Sequence, residues 1–252
     1  MLSAIVMQCV GRFEFVEKRF TGWRCVEGQH TAPTMDLVDS NAEQDVLENI
    51  LDNNKPPVPI DCIGLELHYL LFTPFRYPPL KHGSRFGDTT EPSLWYGSLD
   101  EKTALAETAY YRMRFFDDSD GDMHISSGTL CTFSVDLHSS ACIDLTVKAF
   151  DDYQDEIRNP LSYSFTHAIG KEMRKIKAEM FLFFSARCIG TNFALFSPCC
   201  FENKVPTRTN HWSISFGKSR VILERKNGLN SRDCLTYRKS NFEINGVLPE
   251  PS

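Results

Sequence analysis

The chain has 252 residues, 42% of them hydrophobic, and a net charge of −6. That is enough apolar material for one large globular domain, or for a domain with an extension, and the negative charge gives no general attraction to nucleic acid. The opening MLSAIVMQCVGRF falls far short of the roughly 20 apolar residues a membrane helix needs, and it has no basic leader of the kind a signal peptide carries.

In chain order, the first predicted element is a helix capped at Ser40, with Glu43 three residues on and Val46, Leu47, Ile50 and Leu51 sharing one face. Lys55-Pro-Pro-Val-Pro59 ends it. Residues 1–69 are thus expected to form an N-terminal extension with this one amphipathic helix, residues 70–225 a catalytic core, and residues 226–252 a polar tail. Residues 74–87 read PFRYPPLKHGSRFG. Pro74, Pro78 and Pro79 should hold the backbone around Arg76 extended, and Gly83 and Gly87 allow close backbone approach around Arg85. Arginine forks in such loops match phosphate oxygens; the alternative is a solvated surface ion pair.

Leu94, Trp95 and Tyr96 predict a short strand that Gly97 ends. Ser98 with Glu101 reads as a capping box opening a helix over 103–116, whose Leu105, Ala109, Met113 and Phe116 face the core. Glu107 then lies off that stripe, on the side of Thr103, Tyr110 and Tyr111. It is either a half-buried functional carboxylate or a solvated glutamate pairing with a neighbour such as Arg112. Further strands are expected at 129–136, 142–147, 180–185, 192–197, 211–216 and 219–225, with a helix from Asn159-Pro160 to Lys177. Ser185 ends the apolar run from Met180 to Phe184 without a GxSxG setting or an evident histidine partner. It reads as a residue that hydrogen-bonds phosphate or ribose, not as a nucleophile. Arg187 and Asn192 are further candidate cleft residues.

Nine cysteines without a CxxC pair argue against a zinc ribbon or a disulfide scaffold and for reduced thiols in a cytoplasm. Cys131 and Cys142 are expected in the core, and the adjacent Cys199 and Cys200 are the redox candidates. His68, His82, His167 and His211 show no metal-ligand spacing, so no metal is expected. Two guanidiniums, two tyrosines and a carboxylate suit a ligand with phosphates, a flat ring and a ribose, a description that fits a dinucleotide such as NAD.

The series FRYPP, GSRFG, YGS, TALAE, FFSAR and NFALF resembles the RES family, bacterial toxin-like enzymes named for an arginine, a glutamate and a serine. The resemblance runs from about Leu70 to Phe216. It implies an α+β fold with a mixed split sheet similar to the ADP-ribosyltransferase toxins, here with a helical N-terminal extension. It also implies phosphorolysis of NAD to nicotinamide and ADP-ribose 1″-phosphate, with NAD as substrate, inorganic phosphate as co-substrate and no cofactor. The arginine of the name falls on Arg85, the glutamate on Glu107 and the serine on Ser185, with the strand tyrosine at Tyr96. Arg76 matches a second active-site arginine, and Tyr77 beside it is a ring-stacking candidate. Arg85, Glu107 and Tyr96 are thereby assigned to catalysis, and Arg76, Tyr77 and Ser185 to substrate binding. A cognate antitoxin that plugs the site is an expected partner, in a bacterial cytoplasm or, for a secreted effector, outside it. NAD glycohydrolysis or ADP-ribosyl transfer in the same cleft, or a non-catalytic nucleotide- or protein-binding module, are the alternatives. Residues 203–240, with nine bases against two acids and Tyr237 nearby, leave nucleic-acid binding as one more.

Overall fold

The computed structural model describes residues 2–28, 38–118, 126–227 and 231–250. Helix α1 (Leu2–Val10) precedes strand β1 (Phe15–Glu27), followed by α2 (Asn41–Asn54), α3 (Tyr69–Arg76), β2 (Trp95–Ser98) and α4 (Glu101–Asp117). Strand β3 (Ser126–Asp144) leads to a short α5 (Gln154–Ile157) and to α6 (Ser164–Lys175). Strands β4 (Met180–Phe184), β5 (Thr191–Leu195), β6 (Arg208–Phe216), β7 (Arg220–Asn227) and β8 (Ser231–Arg238) follow. The fold is α+β, with helices around one mixed sheet in the order β1-β2-β5-β4-β3-β6-β7-β8.

Strand β3 splits the sheet. Its first half, from Ser126 to Ser134, pairs with β6, its last residues, Cys142 to Asp144, run parallel to β4, and β1 lies along its other edge. The pairings therefore close a ring through β1, β2, β5, β4 and β3, while β6, β7 and β8 fan outward. Because side chains alternate along a strand, Met180 and Leu182 face one way and Phe181 and Phe183 the other. The first pair packs with Trp95, Phe133, Leu137 and Phe193. The second packs under α1 and α6 through Val6, Cys9, Phe165, Ile169 and Met173. Helix α4 lays Leu105, Ala109, Met113 and Phe116 on Leu130, Trp212, Ile214 and Val221, which is the stripe its sequence spacing predicts.

Several elements differ from the sequence reading. The first 69 residues, expected to hold one helix, also supply α1 and a central strand: β1 pairs with β3 from Phe15 to Glu27. Its sequence FVEKRFTGWRCVE breaks apolar alternation, so a strand was not legible there. Ser231–Arg238, expected in a tail, forms edge strand β8 on β7. The strands expected at 129–136 and 142–147 are one strand, with a register shift against β1 opposite Val16 and Lys18, where Ser139 accepts from Ala141 N and donates to Glu179. The helix expected from Asn159 starts at Ser164; the Asn159 side chain instead accepts from Leu161 N and Ser162 N in a turn. Arg76 ends helix α3 where extended backbone was expected. Pro74 inside that helix cannot donate to the Leu70 carbonyl, and the Trp95 indole N–H takes that acceptor at 3.4 Å. Helix α2 forms as predicted, with Ser40 accepting from Glu43 N at 3.2 Å.

The cap of α4 is Asp100 rather than Ser98. Asp100 accepts from Thr103 N at 2.8 Å, whereas Ser98 is buried within β2. Glu101 turns to the sheet, where it accepts from Asn210 at 2.9 Å and Trp212 at 3.0 Å and pairs with Arg225. Asp100→Ala should cost about 1 kcal/mol, lowering the melting temperature by roughly 2–4 °C, while Ser98→Ala leaves the helix cap intact. Calorimetry on both variants checks this; an unchanged melting temperature for Asp100→Ala would remove the cap assignment.

Among the described residues no helix is long and apolar enough to cross a membrane. All nine cysteines are free. Cys131 and Cys142 are core residues, and burial pushes the Cys142 thiol up to about 12. Cys199 is exposed, and Cys200 beside it is buried.

Candidate active site

The site is built on the flank of α4 that the core stripe leaves free. Glu107 points there toward β5 and the turn after β4. Its Oε1 accepts two hydrogen bonds, from Ser185 Oγ at 2.7 Å and from Asn192 Nδ2 at 2.6 Å. Asn192 is oriented in turn by Ser98, whose hydroxyl donates to Asn192 Oδ1 at 2.7 Å. Strand β5 and the turn thus fix the carboxylate directly, and strand β2 does so through Asn192. Its second oxygen makes no hydrogen bond among the described residues.

Ser185 has no exposed surface. Its hydroxyl donates to Glu107 and accepts from Arg187 N at 3.0 Å and Cys188 N at 3.2 Å. One donor and two lone pairs are then all in use, so no capacity is left for a ligand. The turn can lie this close to α4 because residue 190 is glycine: a Cβ there would sit 2.1 Å from Thr103 Oγ1.

The other wall is the loop carrying Arg85. Gly83 turns it with φ +70, a conformation that L side chains rarely adopt. Tyr96 reaches up from β2 to hold the loop: its hydroxyl accepts from Phe86 N at 3.1 Å and pairs with Ser84 Oγ at 2.9 Å. His167 from α6 holds the Ser84 carbonyl at 2.7 Å. Burial is the first cause that pushes the Tyr96 phenol up to about 12, so it stays protonated at neutral pH. Arg85 Nη1 donates to the carbonyls of Asn159 at 2.9 Å and Ile157 at 3.2 Å. Its Cζ lies 4.6 Å from the Tyr163 ring centroid.

Arg187 comes from the turn after β4. It is 8% exposed, and its Cζ lies 3.6 Å from the Tyr110 ring centroid. Tyr110 is itself buried and donates its hydroxyl to the Pro249 carbonyl. Tyr111, next along α4, is 59% exposed. Desolvation at its hydroxyl end, then Tyr163 and Glu107, raise the pKa of its phenol, and Arg187 and Arg85 oppose them. Tyr163, Glu107, Arg187 and Arg85 thus all bear electrostatically on one hydroxyl.

A family model described as the RES domain matches residues 61–217. The chain belongs to the RES-domain family. Among solved structures it is similar to the M. tuberculosis MbcT–MbcA toxin–antitoxin complex, with 12% identity, 86% of this chain and 95% of that chain covered, and a TM-score of 0.44. No curated protein matches it.

In this RES-domain protein the structure joins Glu107, Ser185 and Asn192 by hydrogen bonds, and Tyr96 to the Arg85 loop. Arg76 and Tyr77 stand apart. Arg76 donates through Nε to the Pro56 carbonyl, Tyr77 is 40% exposed, and neither bonds to the cluster among the described residues. Tyr96, assigned to catalysis by the resemblance, spends its hydroxyl on Ser84 and Phe86 N of the Arg85 loop. Ser185, expected to bind substrate, spends its hydroxyl on Glu107 and on its own turn. Sequence reasoning missed Tyr163 and the link from Ser98 through Asn192. An aromatic shortly after Asn159-Pro160 was the one available hint of the former.

Proposed function

We propose that this RES-domain protein cleaves the nicotinamide–ribose bond of NAD, with inorganic phosphate as the attacking group. The observation that carries the reading is Glu107, a carboxylate with one oxygen fixed by Ser185 and Asn192 and the other unshared, linked through Ser185 to the turn that carries Arg187. When the C–N bond breaks, its electron pair leaves with nicotinamide, a neutral leaving group that needs no strong acid. Positive charge builds on the ribose anomeric carbon and ring oxygen. A carboxylate already held by two donors stabilises that charge without reorganising. In this reading Arg85, backed by the Tyr163 ring, holds phosphate oxygens of the dinucleotide through its remaining donors, and the exposed Tyr111 offers a flat face for a ring. An antitoxin that covers this cleft is the protein partner the reading implies.

Nicotinamide release from NAD should rise with phosphate concentration and saturate. Purified protein without a partner, assayed across a phosphate titration, provides the check. Release independent of phosphate points to glycohydrolysis in the same cleft, and tight ADP-ribose binding without any release points to a non-catalytic module.

A further inference from the structure

Arg187 is more than nine-tenths buried, yet its Nη2 is enclosed without a hydrogen-bond partner, and no ion pair reaches it among the described residues. Leaving a buried guanidinium donor unmade is costly, so the position favours a bound acceptor. Tyr110 covers one face of the guanidinium, which fixes its plane and leaves the donor edge to recognise an oxyanion. Its backbone N–H is held by Ser185 Oγ, the same atom that donates to Glu107, so Arg187 and the carboxylate are built on one hydrogen-bonded unit. Arg85 differs: one of its amino groups is already given to two main-chain carbonyls.

We infer that Arg187 binds the inorganic phosphate that attacks the ribose, while Arg85 serves the dinucleotide's own diphosphate. The inference rests on the phosphorolysis proposed above. A phosphate oxygen supplies the electron pair of the new C–O bond as the C–N pair departs with nicotinamide, and Arg187 transfers no proton. Its positive charge offsets the repulsion a phosphate dianion would meet beside Glu107.

The test titrates the full chain with inorganic phosphate alone and with ADP-ribose alone, reading thermal stabilisation for the natural protein, Arg187→Met and Arg187→Lys. Kinetics then give separate KM values for phosphate and NAD. Phosphate is expected to stabilise the natural protein and to lose that effect in Arg187→Met, with Arg187→Lys recovering part of it. The KM for phosphate should rise about tenfold or more, and the KM for NAD should move far less. Arg187→Met should melt within a few degrees of the natural protein, because it removes an unpaired buried donor; if it fails to fold, Arg187→Lys carries the comparison. Unchanged phosphate stabilisation in the variants overturns the assignment. So does a loss confined to ADP-ribose, which would give Arg187 to the dinucleotide. Because binding is read without turnover, phosphate held through Arg187 by a protein that releases no nicotinamide would support this site and sink phosphorolysis.

Discussion

Glu107→Gln is expected to lower turnover by about 10²-fold or more while NAD still binds. The side-chain oxygen of glutamine can keep accepting from Ser185 and Asn192, so its amide nitrogen falls where the unshared carboxylate oxygen was. Volume and local hydrogen bonding are preserved, and what is lost is a preorganised negative charge at the developing oxocarbenium centre. Removal of one such group typically costs about 2.7–4 kcal/mol in the transition state. Single-turnover nicotinamide release, with melting curves in the presence and absence of ADP-ribose, separates loss of chemistry from loss of fold. Near-normal turnover would reduce Glu107 to a structural carboxylate.

Arg85→Ala is expected to lower kcat/KM by about 10- to 100-fold, consistent with losing charge-assisted hydrogen bonds of about 1.5–3 kcal/mol to a phosphate. Arg85→Lys should fall between the two, since lysine keeps the charge but not the fork. The structure adds a second effect. Arg85 also ties the Ile157 and Asn159 carbonyls to its loop, so the alanine variant should become more susceptible to proteolysis near residues 157–163. Steady-state kinetics and limited proteolysis read the two effects separately. An alanine variant with unchanged kcat/KM would move the substrate phosphates elsewhere.

The sequence revealed the flank of α4 more clearly than its surroundings. Helical spacing alone separated Glu107 from the stripe of Leu105, Ala109, Met113 and Phe116, and the structure buries that stripe as expected. What holds Glu107 was not legible as a unit, because its partners Ser185 and Asn192 lie 78 and 85 residues away and meet it only once β4 and β5 are in register. Two cap signals competed at the start of the helix. The S-x-x-E pattern favoured Ser98, but that residue is committed to β2 and Asn192, which leaves Asp100 as the cap. Strand β1 escaped because its charged residues mask alternation on a strand flanked by neighbours on both edges. The helix ending at Arg76 is hidden among its prolines for a related reason. Trp95 satisfies the acceptor that Pro74 leaves open, and no local sequence rule anticipates that tertiary contact. Arg187 was visible as a candidate, but only the packing of Tyr110 beneath it shows a held guanidinium.

The central claim is the fate of the ribose anomeric carbon, and product mass after incubation with NAD and inorganic phosphate tests it most directly. The account predicts nicotinamide together with ADP-ribose carrying one added phosphate, formed by the natural protein and not by Glu107→Gln on the same timescale. Free ADP-ribose as the sole second product, or intact NAD after prolonged incubation of folded protein, would contradict it.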